Sequence, residues 1–482
     1  MLEAIDYKKI FTYFEEISNV PRGSYHNEKI SEYLVQFAKD HGFSYRVDDA
    51  RNVIIKKPAC GNTKSRDAVM LQGHMDMVCV SEGVSHDFQN EGLSLRIDGD
   101  FISAEGTTLG GDDGIALAYM LALLDGDSYT HPPIEAVFTV DEEVGMHGAT
   151  ALDVSDLEAK TLINLDNEKE GQLLVSCAGG ARALVEFDGF REKRSGMFLE
   201  VSVSGLAGGH SGTEIDKHPL NASILLGRLL ADAYETYPFL LSSFLGGDKD
   251  NVITNEATAY LYCEEKAEEL AAHLSELAVV LTKELCSQEP DMSVGVMEPE
   301  TKEEFCFDCA FTETVLHFLS LTITGVQVYS RDIPGMVESS LNMGVAQTDE
   351  SGITLGFALR SQKKSYKMYM ISQLRRLAAC VAEEGCGHSF QTEGDYPEWD
   401  YKRDSRLREL MVREYRECFG EEPVVEGIHA GLECGILSEK IPGLDIVSIG
   451  PDIQDIHTVR ERMSISSAKR NFDFLLRVLE KL

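Results

Sequence analysis

Five separated stretches of this chain carry side chains able to ligate metal: Gly73-His74-Met75-Asp76, Gly111-Asp112-Asp113-Gly114, Asp141-Glu142-Glu143, Leu165-Asp166-Asn167 and Asp455-Ile456-His457. Several sit where an apolar run gives way to a loop, and ligands in open α/β sheets gather beyond the carboxyl ends of the strands. Singly, each stretch has an ordinary reading. A strand-end histidine can simply be satisfied, an Asp before a helix is by default a cap, and three acids in a row can be solvated. Together they outline a two-metal hydrolase.

The chemistry follows from the residue types. His74 and Asp76 share a face of a strand, so Asp76 can accept from the second ring nitrogen of His74 and fix its tautomer, as metal-bound histidines require. In Leu109-Gly110-Gly111-Asp112-Asp113-Gly114 two adjacent acids suggest a division of labour, with Asp112 bridging ions and Asp113 capping the helix that follows. Of the adjacent Glu142 and Glu143, one ligates while its unligated neighbour takes a proton from an activated water. Asp166 and His457 are terminal ligands. His74, Asp112, Glu143, Asp166 and His457 give two nitrogens and three carboxylates, a set that suits two divalent ions about 3.5–4 Å apart. Mixed His and carboxylate donors point first to zinc, with cobalt and manganese as alternatives.

The elements that must position these residues alternate between strand and helix. Ala68-Val69-Met70-Leu71 leads to His74, the run 134–140 to Glu142 and Glu143, and the run 161–165 to Asp166. Between the first two lies an apolar helix over 115–124. Two helices open the chain, over 7–17 and 27–39. This βαβ rhythm predicts an α/β fold with a mostly parallel mixed sheet and helices on both faces.

From about Arg182 the texture changes. Residues 198–204 and 352–359 alternate with period two, as strands with one solvated face do, and helical stretches lie at 220–233 and 267–285. Near Tyr396-Pro397-Glu398-Trp399 the first texture returns, with a helix over 407–419 and a strand over 444–449. The economical reading is a discontinuous catalytic domain, 1–181 and 396–482, interrupted by an inserted α+β domain, 182–395.

Composition narrows the partners. At 482 residues two domains are the natural expectation. Forty-four Lys and Arg against 81 Asp and Glu give a net charge of −37, which disfavours nucleic acid and anionic membrane. The first residues lack the basic-then-apolar build of a signal peptide, and no apolar run approaches the roughly 20 residues of a membrane span. Eleven scattered cysteines, with only Cys306 and Cys309 at close spacing, read as thiols of a reducing cytoplasm.

The same motifs resemble the M20 metallopeptidase family, specifically its aminoacyl-histidine dipeptidase branch, over nearly the whole chain. The matching runs are Phe14 to Ser24, Gln72-Gly73-His74-Met75-Asp76-Met77-Val78, Thr108 to Ile115, Asp141-Glu142-Glu143-Val144-Gly145-Met146, Cys177-Ala178-Gly179-Gly180, Asp332 to Glu338 and His429-Ala430-Gly431-Leu432-Glu433-Cys434-Gly435. One departure is Gly111, where alanine is the more familiar residue.

The resemblance implies that His74, Asp112, Glu143, Asp166 and His457 hold metal with Asp112 bridging, that Glu142 is the general base, and that Asp76 orients His74. It implies that the inserted domain is a lid and a dimer interface, making the chain a homodimer. Within Gly208-Gly209-His210-Ser211-Gly212, His210 would polarise the scissile carbonyl. Asn251 and Arg360 match lid positions that hold substrate, Arg360 being suited to a bidentate grip on a carboxylate. His429 is either a substrate-side group or a helix-start histidine, with Glu433 on the next turn placed to orient it. The expected reaction is hydrolysis of small peptides, Xaa-His dipeptides among them. The alternative is an N-acyl amino acid amidohydrolase with the same catalytic groups and a different pocket. A catalytically silent scaffold would have lost a ligand or the base, whereas every position is filled.

Overall fold

The computed structural model describes residues 2–62, 67–126 and 128–482. The chain divides into two compact units, the first formed by Met1–Cys177, Trp399–Gly427 and Leu432–Leu482, the second by Ala178–Glu398 with Ile428–Gly431. The chain therefore visits the second unit twice. The second visit carries His429, which the sequence groups with the flanking residues of the first domain.

In the first unit an eight-stranded sheet runs in the order Ser44–Val47, Val53–Lys57, Ile134–Thr139, Val69–His74, Thr161–Asn164, Asp445–Ser448, Gln172–Cys177, Val424–Ile428. The four strands in succession from Ile134–Thr139 to Asp445–Ser448 are parallel, and the flanking pairs that join them are antiparallel. Every residue of Val69–His74 and Ile134–Thr139 is buried, which is why these strands read as mostly apolar runs rather than as a regular alternation. The helix Gly111–Asp125 is buried at every residue from Gly111 to Leu124, and beyond the kink at Asp112 and Asp113 its sequence, from Gly114 to Leu124, is apolar all round. Observed helices at Ile10–Ser18 and Glu28–Asp40 lie close to the expected ones, the first starting later because Lys8 and Lys9 have positive φ.

The second unit is built on a ten-stranded antiparallel sheet. Its strands alternate as expected: Ala181, Ala183, Val185 and Phe187, or Ile353, Leu355, Phe357 and Leu359, face one core. Helices Ala222–Tyr234, Ala267–Leu285, Cys309–Leu321 and Lys364–Val381 contribute apolar residues to that same core. Phe318 meets Phe187 and Phe357 edge-on, and truncating such a buried ring costs about 3–5 kcal/mol. The intervening residues of the strand Gly352–Ser361, Arg360 among them, point away from this core.

A candidate metal centre

Strand register brings the ligand-bearing ends level. His74 pairs with Thr139, Gln72 with Asn164, and Asn164 with Ser448, all between parallel neighbours. The side chains just beyond these ends, Glu142, Glu143 and Asp166, are thereby delivered to one rim, where the His74 strand itself finishes. Asp112 enters from the start of its helix. His457 comes from the turn between the short paired strands Ile453–Gln454 and Arg462–Ser464.

At that rim His74 Nε2 lies 3.1 Å from Asp112 Oδ1 and 3.6 Å from Asp166 Oδ1. His457 Nε2 lies 3.2 Å from Asp112 Oδ2 and 3.0 Å from Glu143 Oε2. Asp112 thus turns one oxygen toward each histidine. Among the described residues three sets could hold an ion: His74, Glu142 and Glu143; His74, Asp113 and Asp166; and Asp112, Glu143 and His457.

Asp76 is fully buried and does more than face His74. Nδ1 of His74 lies 3.1 Å from the Asp76 backbone oxygen and 3.4 Å from its Oδ1. The carboxylate also accepts from Ser24 Oγ at 2.8 Å and from the backbone N–H of Glu142 at 3.1 Å. It therefore ties the histidine to the loop bearing both glutamates.

Asp113 is not the cap that its position suggests. Asp112 and Asp113 have non-helical backbone angles, so the regular helix starts just after them, but Asp113 Oδ2 accepts the backbone N–H of His74 at 3.2 Å instead of capping that helix. Glu433 lies beneath the rim with no exposed surface. It accepts from Gln72 and, at 2.6 Å, from Thr139 Oγ1, while Gln72 Oε1 accepts from Asn164 at 2.7 Å. That chain of polar groups joins three strands. His429 is not a helix-start residue either, because the helix there begins at Glu433.

Two supports had no signal in the sequence beyond being charged. Arg22, fully buried, donates at 3.1 Å to the carbonyls of both Met75 and Asp76 and also to that of Gly110. A Cβ at Gly110 would stand 2.5 Å, and one at Gly114 2.6 Å, from its Nη2, which explains the glycines around Asp112. Glu461 accepts from the backbone N–H groups of Leu109, Gly110, Gly111 and Asp112.

The electrostatics of the rim are those of surplus negative charge. Burial, with the charges of Asp112 and Glu168, pushes Asp166 up to about 7 although His74 opposes. Burial, with Asp166, Glu433 and Glu143, likewise holds Glu142 well above the carboxylate range. The bonds of His457 to Asp112 and Glu143 raise it to about 10. Burial works against charge on His74, yet Asp112 and Asp166 lift it well above the ordinary value. Acids so crowded that they must share protons with two imidazoles are a donor set that divalent cations fit.

In the second unit His210, Arg360 and His429 surround Gly212. A Cβ there would lie 2.9 Å from His210 Cε1, 2.9 Å from the His429 carbonyl and 3.2 Å from Arg360 Nε. The backbone N–H groups of Gly212 and Thr213 donate to His210 Nδ1 at 3.2 and 3.1 Å. Nδ1 is therefore an acceptor, and the proton of the neutral ring belongs on Nε2. Arg360 Nη1 donates to Tyr396 OH at 2.9 Å, and His429 Nε2 meets Ser340 Oγ at 2.7 Å. Arg360 Nε is buried with no hydrogen-bond partner among the described residues. Asn251 is exposed, and its carbonyl accepts the N–H of Ser211, next to His210, at 2.9 Å.

Comparison with known proteins identifies the family. Residues 70–481 match peptidase family M20/M25/M40. Over 485 aligned residues the chain is 33% identical to the cytosol non-specific dipeptidase of Escherichia coli strain K12, spanning 100% of this chain and 99% of that protein. The crystal structure of aminoacylhistidine dipeptidase from Vibrio alginolyticus superposes with a TM-score of 0.93 at 33% identity, over 100% of this chain and 99% of the other. The aminopeptidase PepT of Bacillus cereus, at 16% identity and TM-score 0.58 over 99% of each chain, shares the fold. The chain belongs to peptidase family M20/M25/M40 and is an enzyme of the metallopeptidase type.

Proposed function

We propose that the protein hydrolyses dipeptides, Xaa-His among them, with two divalent ions held by His74, Asp112, Glu143, Asp166 and His457. The observation that carries the reading is Asp112, whose two oxygens face imidazoles from distant parts of the chain, His74 and His457. Such a carboxylate suits a bridge between two ions, zinc in the first instance. When bound, the ions supply Lewis acidity and lower the pKa of a water from about 16 to about 7.

The protein's own groups do the rest. Glu142, half-buried beside His74 and Glu143 but hydrogen-bonded through its carboxylate to neither histidine, accepts the proton of the attacking water and passes it to the leaving amine. Asp76 keeps the proton of His74 on Nδ1, so that Nε2 offers its lone pair. His210, with its proton on Nε2, donates to the carbonyl oxygen as negative charge develops there. Arg360 grips the free carboxylate of the peptide, with His429 and Asn251 beside it. Glu433 supports the rim from below through Gln72 and Thr139. A cytoplasmic setting is part of the same proposal, supported by the likeness to the cytosol non-specific dipeptidase of E. coli.

A panel of dipeptides set against N-acetyl amino acids, run with a metal analysis of the purified protein, tests this reading. Preferential turnover of dipeptides is expected. Faster turnover of the acylated compounds would assign the pocket to an amidohydrolase instead.

A further inference from the structure

We infer that Glu461 is a positioning residue that locks together the two loops bearing Asp112 and His457, and so sets the affinity of the bridged ion pair. The inference rests on the ligand reading proposed above. Glu461 is 2% exposed, and among the described residues its carboxylate hydrogen-bonds to backbone amides rather than to a candidate ligand side chain. Its Oε2 accepts the backbone N–H groups of Leu109 at 2.8 Å and Gly110 at 3.0 Å. Its Oε1 accepts those of Gly111 at 2.7 Å and Asp112 at 3.3 Å. Four successive amides of the loop that leads into the helix converge on one carboxylate from the far end of the sequence.

The same residue closes the turn that carries His457. Strand residues Gln454 and Arg462 pair across the base of that turn, and the N–H of Glu461 donates to the Thr458 carbonyl at 3.1 Å. Moving Glu461 therefore moves His457 and the Asp112 backbone together. The carboxylate is also hard to replace. A carboxamide offers one acceptor oxygen and would aim an NH2 group at two N–H donors, while aspartate is one methylene short of spanning all four amides. Arg22 holds the same loop from its other side by accepting nothing and donating to the Gly110 carbonyl. A loop clamped between a buried anion and a buried cation presents Asp112 in one orientation.

The test uses full-length protein stripped by chelator and titrated with Co2+, followed by visible absorbance, for wild type, Glu461→Gln, Glu461→Asp and Asp112→Asn. The melting temperature of each metal-free form and hydrolysis of a dipeptide at limiting and saturating Co2+ are measured alongside. Groups that orient metal ligands contribute about 10–100-fold to affinity. Both Glu461 variants should weaken Co2+ binding by that factor, melt near the wild type when metal-free, and regain much of their kcat as Co2+ saturates. Wild-type Co2+ affinity in both variants would overturn the inference. So would a loss of affinity that only tracks unfolding of the metal-free form, which would assign Glu461 to fold stability. If Asp112→Asn binds two Co2+ as wild type does, the ligand reading itself fails. If Asp112→Asn weakens binding and the Glu461 variants do not, only the role of Glu461 is lost.

Discussion

The two units treat histidine in opposite ways. In the first, His74 and His457 are surrounded by Asp112, Glu143 and Asp166, and both are raised above the ordinary imidazole value, His457 to about 10. In the second, burial and the positive charge of Arg360 depress His210 and bring His429 down to about 3. One cluster is short of positive charge, and the other keeps its imidazoles neutral beside a fixed cation. The first is suited to binding divalent ions, the second to donating hydrogen bonds toward a carbonyl and a carboxylate. Residue type alone does not separate these roles. The neighbouring charges do.

That contrast can be broken from either side. The largest effect is expected at Glu142→Gln, which removes the proton carrier. Turnover should fall by about 10²–10⁴-fold, with the ion content and melting temperature retained, and near-native turnover would remove Glu142 as the base. Next, His210→Ala deletes a donor to the developing oxyanion, and kcat should drop by about 10²–10³-fold with metal content unchanged. A selective rise in KM would instead make His210 a ground-state binding group. Arg360→Lys keeps the charge and loses the planar fork. For a charged hydrogen bond of about 1.5–3 kcal/mol, kcat/KM should fall by about 10–100-fold, mostly through KM, and least for substrates whose carboxylate is amidated.

The smallest effect sharpens the electrostatic half of the comparison. His429 has a folded value of about 3 against about 6.5 when unfolded. Below about 6.5 the unfolded chain takes up a proton that the folded one refuses, so this contribution to stability is complete above that pH and is lost as pH falls toward about 3. His429→Gln should flatten the fall of melting temperature over that window by about one proton. An unchanged slope would mean that His429 is not held neutral.

How far the sequence speaks depends on range. His74, Glu142, Glu143 and Asp166 were legible because each follows an apolar run at the end of a parallel strand, a pattern contained within a few residues. The period-two runs 198–204 and 352–359 were legible for the same reason, since one face meets a core and the other does not. Asp113 was misassigned as a cap because a preference for helix starts is a local rule, whereas its partner, the His74 N–H, is set by tertiary structure. Arg22 and Glu461 were invisible as site residues. Nothing near either in sequence reveals that a lone guanidinium and a lone carboxylate are buried on opposite sides of one glycine loop. His429 could be read as a substrate-side group or as a helix start, and the second reading fails because the chain first makes a brief return to the second unit before the helix begins at Glu433.

The most direct test of the account is to strip the protein of metal, return a divalent ion in measured equivalents, and follow dipeptide hydrolysis against bound ion. Activity absent from the stripped protein and complete only when two equivalents are bound per chain is the predicted result. Full turnover in protein holding no ion would contradict it.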